Sequence, residues 1–197
     1  MIKKIIFVLG LVVSASSFAQ AEKFSGASIG LNTGFNSETA DLNSSGSTAQ
    51  FGQKNTPFDI NLSYTFAVTP SATIGLGLNY DLSSNKVIDG TKNSIVEQTT
   101  DIVNKNHYSL NFEPGFALND SLLGYFKLAY HAGKLSGGTN KYSMKGYGYG
   151  FGTRYMLDKN LFLNLEIQSI VYNSITAGNA KINNYSLYST IGLGYKF

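Results

Sequence analysis

The run GYGYGFGTRYMLDKNLFLNLEIQSI, residues 146–170, leaves this chain few choices of fold. Tyr147, Tyr149, Phe151, Thr153, Tyr155 and Leu157 share one parity, while Gly146, Gly148, Gly150, Gly152, Arg154 and Met156 share the other. A strict period of two is the mark of a strand with two unlike faces. After Asp158, Lys159 and Asn160, the residues Leu161, Leu163, Leu165 and Ile167 resume the apolar face, against Asn164, Glu166 and Gln168. The unit is a β-hairpin with one greasy side and one side of glycine, amide and charge.

Six more segments repeat the pattern, so that alternation covers 24–35, 58–68, 72–82, 107–118, 122–132, 146–157, 161–172 and 184–197. Each is about as long as the 9–11 residues that a tilted strand needs to cross a bilayer. The connections differ by end. Residues 36–57, 83–106, 133–145 and 173–183 are long and polar, and 69–71, 119–121 and 158–160 are three-residue turns. This predicts an all-β fold: an eight-stranded antiparallel up-and-down transmembrane barrel with short turns at one end and four surface loops at the other. The long connections are read as polar loops, with Asp89-Gly90 as a candidate hairpin turn. A ten-stranded barrel would need spanning strands within 83–106, where Val87-Ile88, Ile95-Val96 and Ile102-Val103 are isolated apolar pairs.

Which face points inward follows from the glycines. Gly26, Gly30, Gly34, Gly75, Gly77, Gly115, Gly146, Gly148, Gly150, Gly152, Gly192 and Gly194 share the polar face, and only Gly124 sits on the other. A soluble exterior would carry Lys, Glu and Thr there, whereas a narrow lumen needs small residues beside large ones. Strand charges agree: Asp59, Asp81, Glu113, Lys127, Arg154, Glu166 and Lys196 all fall on the lumen parity. A basic residue facing lipid at the midplane costs about 2–4 kcal/mol. Aromatics sort by height on the apolar face, as two girdles should. Leu123, Phe162 and Ile170 break the pattern by pointing inward, and Ser169 and Ser189 by pointing outward.

Residues 1–21 read as a secretory signal peptide, with Lys3 and Lys4, an apolar core from Ile5 to Val13, and Ala19-Gln20-Ala21 as the cleavage site, leaving 22–197 as the barrel. Cleavage after Ala21 is preferred to cleavage after Ala19. Of the 15 basic residues, Lys3 and Lys4 go with the signal peptide, and the remaining 13 balance 12 acidic ones. The near-neutral mature chain has no nucleic-acid footprint.

The hairpin at 146–167 resembles the closing hairpin of small outer-membrane barrels of the opacity and OmpA-like transmembrane family, with Arg154 and Glu166 in matching places. The end of the last strand, SLYSTIGLGYKF, resembles the C-terminal signal of such proteins, with Tyr195 and Phe197 as its aromatic elements. The resemblance implies residence in the bacterial outer membrane of a Gram-negative cell and delivery by the barrel-assembly machinery. It also implies contact with outer-membrane lipid and lipopolysaccharide, and surface ligands met through loops 36–57 and 83–106. No peptidoglycan-binding domain is implied.

For function, the leading reading is a non-enzymatic envelope protein with a plugged polar lumen. Turn 119–121 sets a register in which facing residues sum to 240, so Glu113 opposes Lys127; around 158–160 the sum is 318, so Glu166 opposes Gly152. Lys127 is expected to reach past Gly152 to Glu166, and Arg154 to lie one step nearer the short turns, giving a lumen ion network of Glu113, Lys127, Arg154 and Glu166. Two alternatives stand beside it. His107 and Ser109 form an H-x-S whose spacing resembles that of lipid A deacylases, although both carry lumen parity. A narrow, low-conductance pore is the other. No cofactor is expected, nor a metal, since His107 and His131 are the only histidines and there is no cysteine.

Overall fold

A computed structural model describes residues 20–44, 47–89, 101–137, 140–177 and 180–197. Residues 1–19 of the expected signal peptide, the Gly90 turn position and the Ile95-Val96 pair lie outside them. Eight long strands close the barrel: β1 (Gly26–Ser44), β3 (Phe58–Ala67), β4 (Ala72–Asp81), β6 (Ile102–Ala117), β7 (Leu122–Gly137), β8 (Asn140–Met156), β9 (Leu161–Tyr172) and β11 (Ala180–Lys196). Every neighbour is antiparallel, and β11 pairs with β1 from Ser28↔Lys196 to Ser44↔Ala180. Closure removes the sheet edge, which lipid could not hydrate. Three short strands, β2 (Ser47–Asn55), β5 (Asn85–Ile88) and β10 (Ile175–Ala177), pair on β1, β6 and β11 beyond the membrane.

The three short turns share one construction. Val68, Leu118 and Leu157 donate to the carbonyls of Ala72, Leu122 and Leu161 at 2.9, 2.8 and 2.8 Å. In each, the oxygen on the side chain of the first turn residue (Thr69, Asn119 or Asp158) accepts from the backbone N–H three residues on. Two such donors, from Leu161 and Asn160, hold the Asp158 carboxyl below its ordinary value of 3.8. This regular turn sets the register: Ala117↔Leu123 and Gly152↔Glu166 obey the sums of 240 and 318.

The outer wall is apolar where lipid covers it. Leu31, Leu62, Leu76, Leu110, Leu128, Phe151, Leu165, Ile191 and Leu193 are all exposed. Tyr80 pairs with Tyr108, and the Tyr130 and Tyr147 rings lie 5.6 Å apart at the long-loop end. Tyr195 and Phe197 stack edge to face at 5.2 Å at the other end.

Beyond the girdle at the long-loop end, the reading of long polar loops needs correction. β1 runs on to Ser44 and hairpins with β2, and β7 and β8 stay paired from the membrane to Gly137↔Asn140. The alternation inverts on leaving the bilayer. Outside there is now water rather than lipid, so the polar parity turns outward and the apolar one inward. Ala40, Phe51, Val87, Ile88, Leu135, Met144, Ile170, Tyr172, Ile175, Ile182 and Tyr188 pack together as an apolar cluster inside the extended barrel. The segment at 85–88 belongs to it: Asn55 clasps Lys86 through two hydrogen bonds of 2.8 Å, which holds Val87 and Ile88 inward.

A second apolar cluster closes the short-turn end. The chain enters through a single 3-10 turn, Ala21–Phe24, and Phe24 packs on Ala117, Leu123, Met156 and Phe162. Lys23 is ion-paired with Asp120, tying the entry to a turn. The inward Leu123, Phe162 and Ile170 are therefore no lapses in the pattern. They belong to the two apolar layers that bracket a polar middle.

Candidate functional site: the charged interior

Between those layers, side chains from every wall converge. The register on either side, Phe112↔Leu128 and Gly115↔Tyr125, sets Glu113 opposite Lys127. Lys127 Nζ lies 3.6 Å from Glu113 Oε1 and donates to both oxygens of Glu166 at 3.0 and 2.9 Å. Arg154 lies 3.9 Å from Glu113 Oε2, donates to Thr65 Oγ1 at 3.2 Å, and places its guanidinium 4.6 Å from the centre of the Phe162 ring. The four expected residues thus stand together, all nearly out of contact with solvent, and two acids balance two bases.

One detail differs from expectation. Tyr125, not Lys127, fills the space over Gly152: a Cβ there would run into its ring. The Tyr125 hydroxyl reaches Asn164 Oδ1 at 2.9 Å and Glu166 Oε2 at 3.0 Å. Lys127 faces Gly150 instead and approaches Glu166 from the next row. Tyr125 is the member that charge parity could not reveal, because a tyrosine on the lumen face gives no sign of which carboxylate it will meet. Asp59 stands nearby, accepting from Asn32 and Asn79 at 2.7 and 2.8 Å.

Closer to the long-loop end the chemistry changes. His107 Nε2 and His131 Nδ1 are 3.0 Å apart with their rings stacked, and the Tyr172 hydroxyl is 3.4 Å from His107. Asp81 approaches His107 Nδ1 at 3.8 Å while accepting from Asn85 and Ser83 at 2.6 Å each. Ser109 does not meet His107. Its hydroxyl donates to Asn111 Oδ1 at 2.9 Å, and its cross-strand partner is His131. A serine nucleophile needs its base within hydrogen-bond reach, and both side chains are buried in the lumen rather than open to lipid. Among the described residues no group of three or more His, Cys, Asp or Glu could hold a metal ion.

Higher still, Glu38 is fully buried beside Asn36 (2.9 Å) and Ser186 (3.1 Å), with its second oxygen unpartnered. It lies beyond Phe35, outside the membrane-spanning part of β1, and burial pushes its carboxyl above the ordinary 4.5.

A closed eight-stranded barrel, apolar outside and charged within, defines a transmembrane barrel of the outer-membrane type. The family model for the outer membrane protein beta-barrel domain matches residues 5–197, and the chain belongs to that family. Its place is the bacterial outer membrane. No curated protein sequence matches it. Among solved structures it is similar to Ail, the attachment invasion locus protein of Yersinia pestis, in complex with the heparin analogue sucrose octasulfate, at 17% identity over 88% of this chain and 99% of that one, TM-score 0.49. The outer membrane protein OprG from Pseudomonas aeruginosa is 12% identical over 88% and 97% of the two chains, TM-score 0.48. Neisserial surface protein A is 17% identical over 87% and 99%, TM-score 0.44.

Proposed function

We propose that this protein is a non-conducting barrel, exported by the leader at 1–21, that stabilises the envelope and works through its outer wall and the strands above the membrane. What supports this reading is how little space the side chains leave around the ion network. Two interior cavities of about 30 and 10 Å³ border the ion network. A single water needs roughly 10–15 Å³, so neither offers a path for a hydrated ion. Apolar layers above and below raise the barrier further, since bare charge entering them would lose its hydration. The network of Glu113, Lys127, Arg154 and Glu166 acts in this reading as a structural plug, and Tyr195 and Phe197, exposed at the last strand's end, serve barrel assembly. Lipopolysaccharide and surface ligands are met from outside the barrel.

Planar-bilayer recording of the refolded protein tests it. Silence, or brief small events, is expected. Large and steady conductance would overturn the plug. The hydrolase alternative has its own test: mass spectrometry of lipid A from cells carrying wild-type protein or Ser109→Ala should show the same acylation pattern.

A further inference from the structure

Outward-facing charge is unevenly spread on the strands above the girdle. Lys105 on β6 and Lys134 on β7 are direct cross-strand partners. Lys134 in turn faces Ser143 on β8, which is flanked on the same face by Lys141 and Lys145. Residues diagonal across a strand pair sit about 7–8 Å apart, so four ammonium groups crowd one patch. All four are exposed, and no ion pair among the described residues uses them. The contrast with Lys86 is direct, since that lysine is paired with Asp101 at 2.7 Å. Like charges placed directly opposite destabilise a sheet, so this arrangement is unfavourable unless an anion sits among them.

Its height suggests which anion. The same three strands carry the girdle residues Tyr108, Tyr130 and Tyr147 just below. Lys145 is two residues beyond Tyr147, about 7 Å along the strand, and Lys134 is four beyond Tyr130, about 13 Å. With strands tilted, those distances span the polar interface, which adds about 5–8 Å to each side of the hydrocarbon core. The bulge that turns Lys105 into this row comes from Asn106, the one non-glycine residue with positive φ (51°) among those described. One extra residue there shifts the register between Lys105 and Tyr108.

We propose that Lys105, Lys134, Lys141 and Lys145 form a site on the outer wall for the phosphate groups of a lipopolysaccharide headgroup in the surrounding leaflet. The site rests on the reading of a surface barrel that works from its outside, and gives that reading a particular lipid contact. The four lysines offer twelve N–H donors and no acceptor, a set suited to phosphate oxygens and indifferent to sugar. The tyrosines below mark the depth at which the lipid's acyl chains give way to its headgroup.

The test uses the full mature barrel in nanodiscs or detergent, with phosphorylated and enzymatically dephosphorylated lipopolysaccharide as probes and native mass spectrometry as the readout. Wild type should retain the phosphorylated lipid and lose it as salt is raised. Lys134→Gln with Lys145→Gln should weaken retention about 30-fold, as expected for two lysines at an anionic lipid surface. The dephosphorylated lipid should bind wild type no better than phosphorylated lipid binds this variant. Lys54→Gln with Lys181→Gln, elsewhere on the wall, should leave retention unchanged, and an unaltered gel shift on boiling reports that each variant folds. Equal retention by wild type and the first variant would overturn the site, as would equal loss from the control pair. So would displacement of the lipid by a soluble sulfated polyanion at matching concentration, which would make the patch a polyanion site. None of these outcomes changes the conductance result, so the plug and the lipid site stand or fall separately.

Discussion

The lower and upper halves of the lumen bury polar side chains to a similar depth and treat them in opposite ways. Near the short turns, Lys127, Glu113, Glu166, Arg154 and Tyr125 satisfy one another, and among the described residues only Arg154 Nε and Thr73 Oγ1 are left there without a partner. Near the long-loop end, His131 Nε2, Gln168 Nε2, Asn85 Oδ1, Glu38 Oε2, Asn184 Oδ1 and both polar atoms of Asn104 have none. An unpartnered buried polar group costs about 1–3 kcal/mol. The lower half therefore behaves as a clamp whose members depend on each other. The upper half relies on the apolar cluster around Met144, Ile170 and Tyr172 for its cohesion. Charge complementarity holds one region and hydrophobic burial the other.

The largest expected break is Lys127→Ala. It leaves Glu113 and Glu166 buried without their shared cation, and removing one partner of a buried pair costs about 3–5 kcal/mol. The urea midpoint in lipid or detergent should fall clearly. In a double-mutant cycle, Glu113→Gln with Lys127→Met should cost less than the two single changes added together. Strict additivity would show that the pair seen at 3.6 Å does not couple.

Two glycines sharpen the contrast at intermediate size. Alanine at Gly152 would push on the Tyr125 ring, which is anchored by bonds to Asn164 and Glu166. Overpacking of this kind typically costs about 1–3 kcal/mol. Alanine at Gly148 would meet Gln168 Nε2 and His131 Nε2, atoms with no bond to lose. Gly152→Ala should therefore lower the unfolding midpoint more than Gly148→Ala. The reverse order would mean that the upper half is the tighter of the two.

The smallest effect is a pH dependence in the upper half. The folded Glu38 carboxyl binds its proton more tightly than the unfolded one, because burial disfavours the charge. Its contribution to stability is complete below the ordinary value of 4.5 and is lost as pH rises through the higher folded value. Midpoints of wild type should decline across that window relative to those of Glu38→Gln. Parallel profiles would show that the site admits water and does not desolvate the carboxylate.

Alternation along single strands already determined a good deal of this protein. Tyr147, Tyr149 and Phe151 had to face one solvent and Gly148, Gly150 and Gly152 another, because the period of a strand is a local property of the backbone. The repeat of that pattern, the short turns and the glycine-lined face together implied a closed barrel in a membrane, with charge inside. The turn sums even placed Glu113 opposite Lys127.

What parity could not supply was height and company. Leu123 and Phe162 look like errors in two separate stretches, and they become one layer with Phe24 only when the tilted sheet closes and brings them level. The segments around Ala40, Leu135 and Met144 read as loops because the outer solvent changes from lipid to water partway along each strand. Their outward residues turn polar there while their apolar parity passes to the inside. The lysine patch likewise depends on three strands in register and on a bulge at Asn106. A strand's own sequence carries its two faces; which residues share a level is decided by stagger between strands, a property of the closed sheet alone.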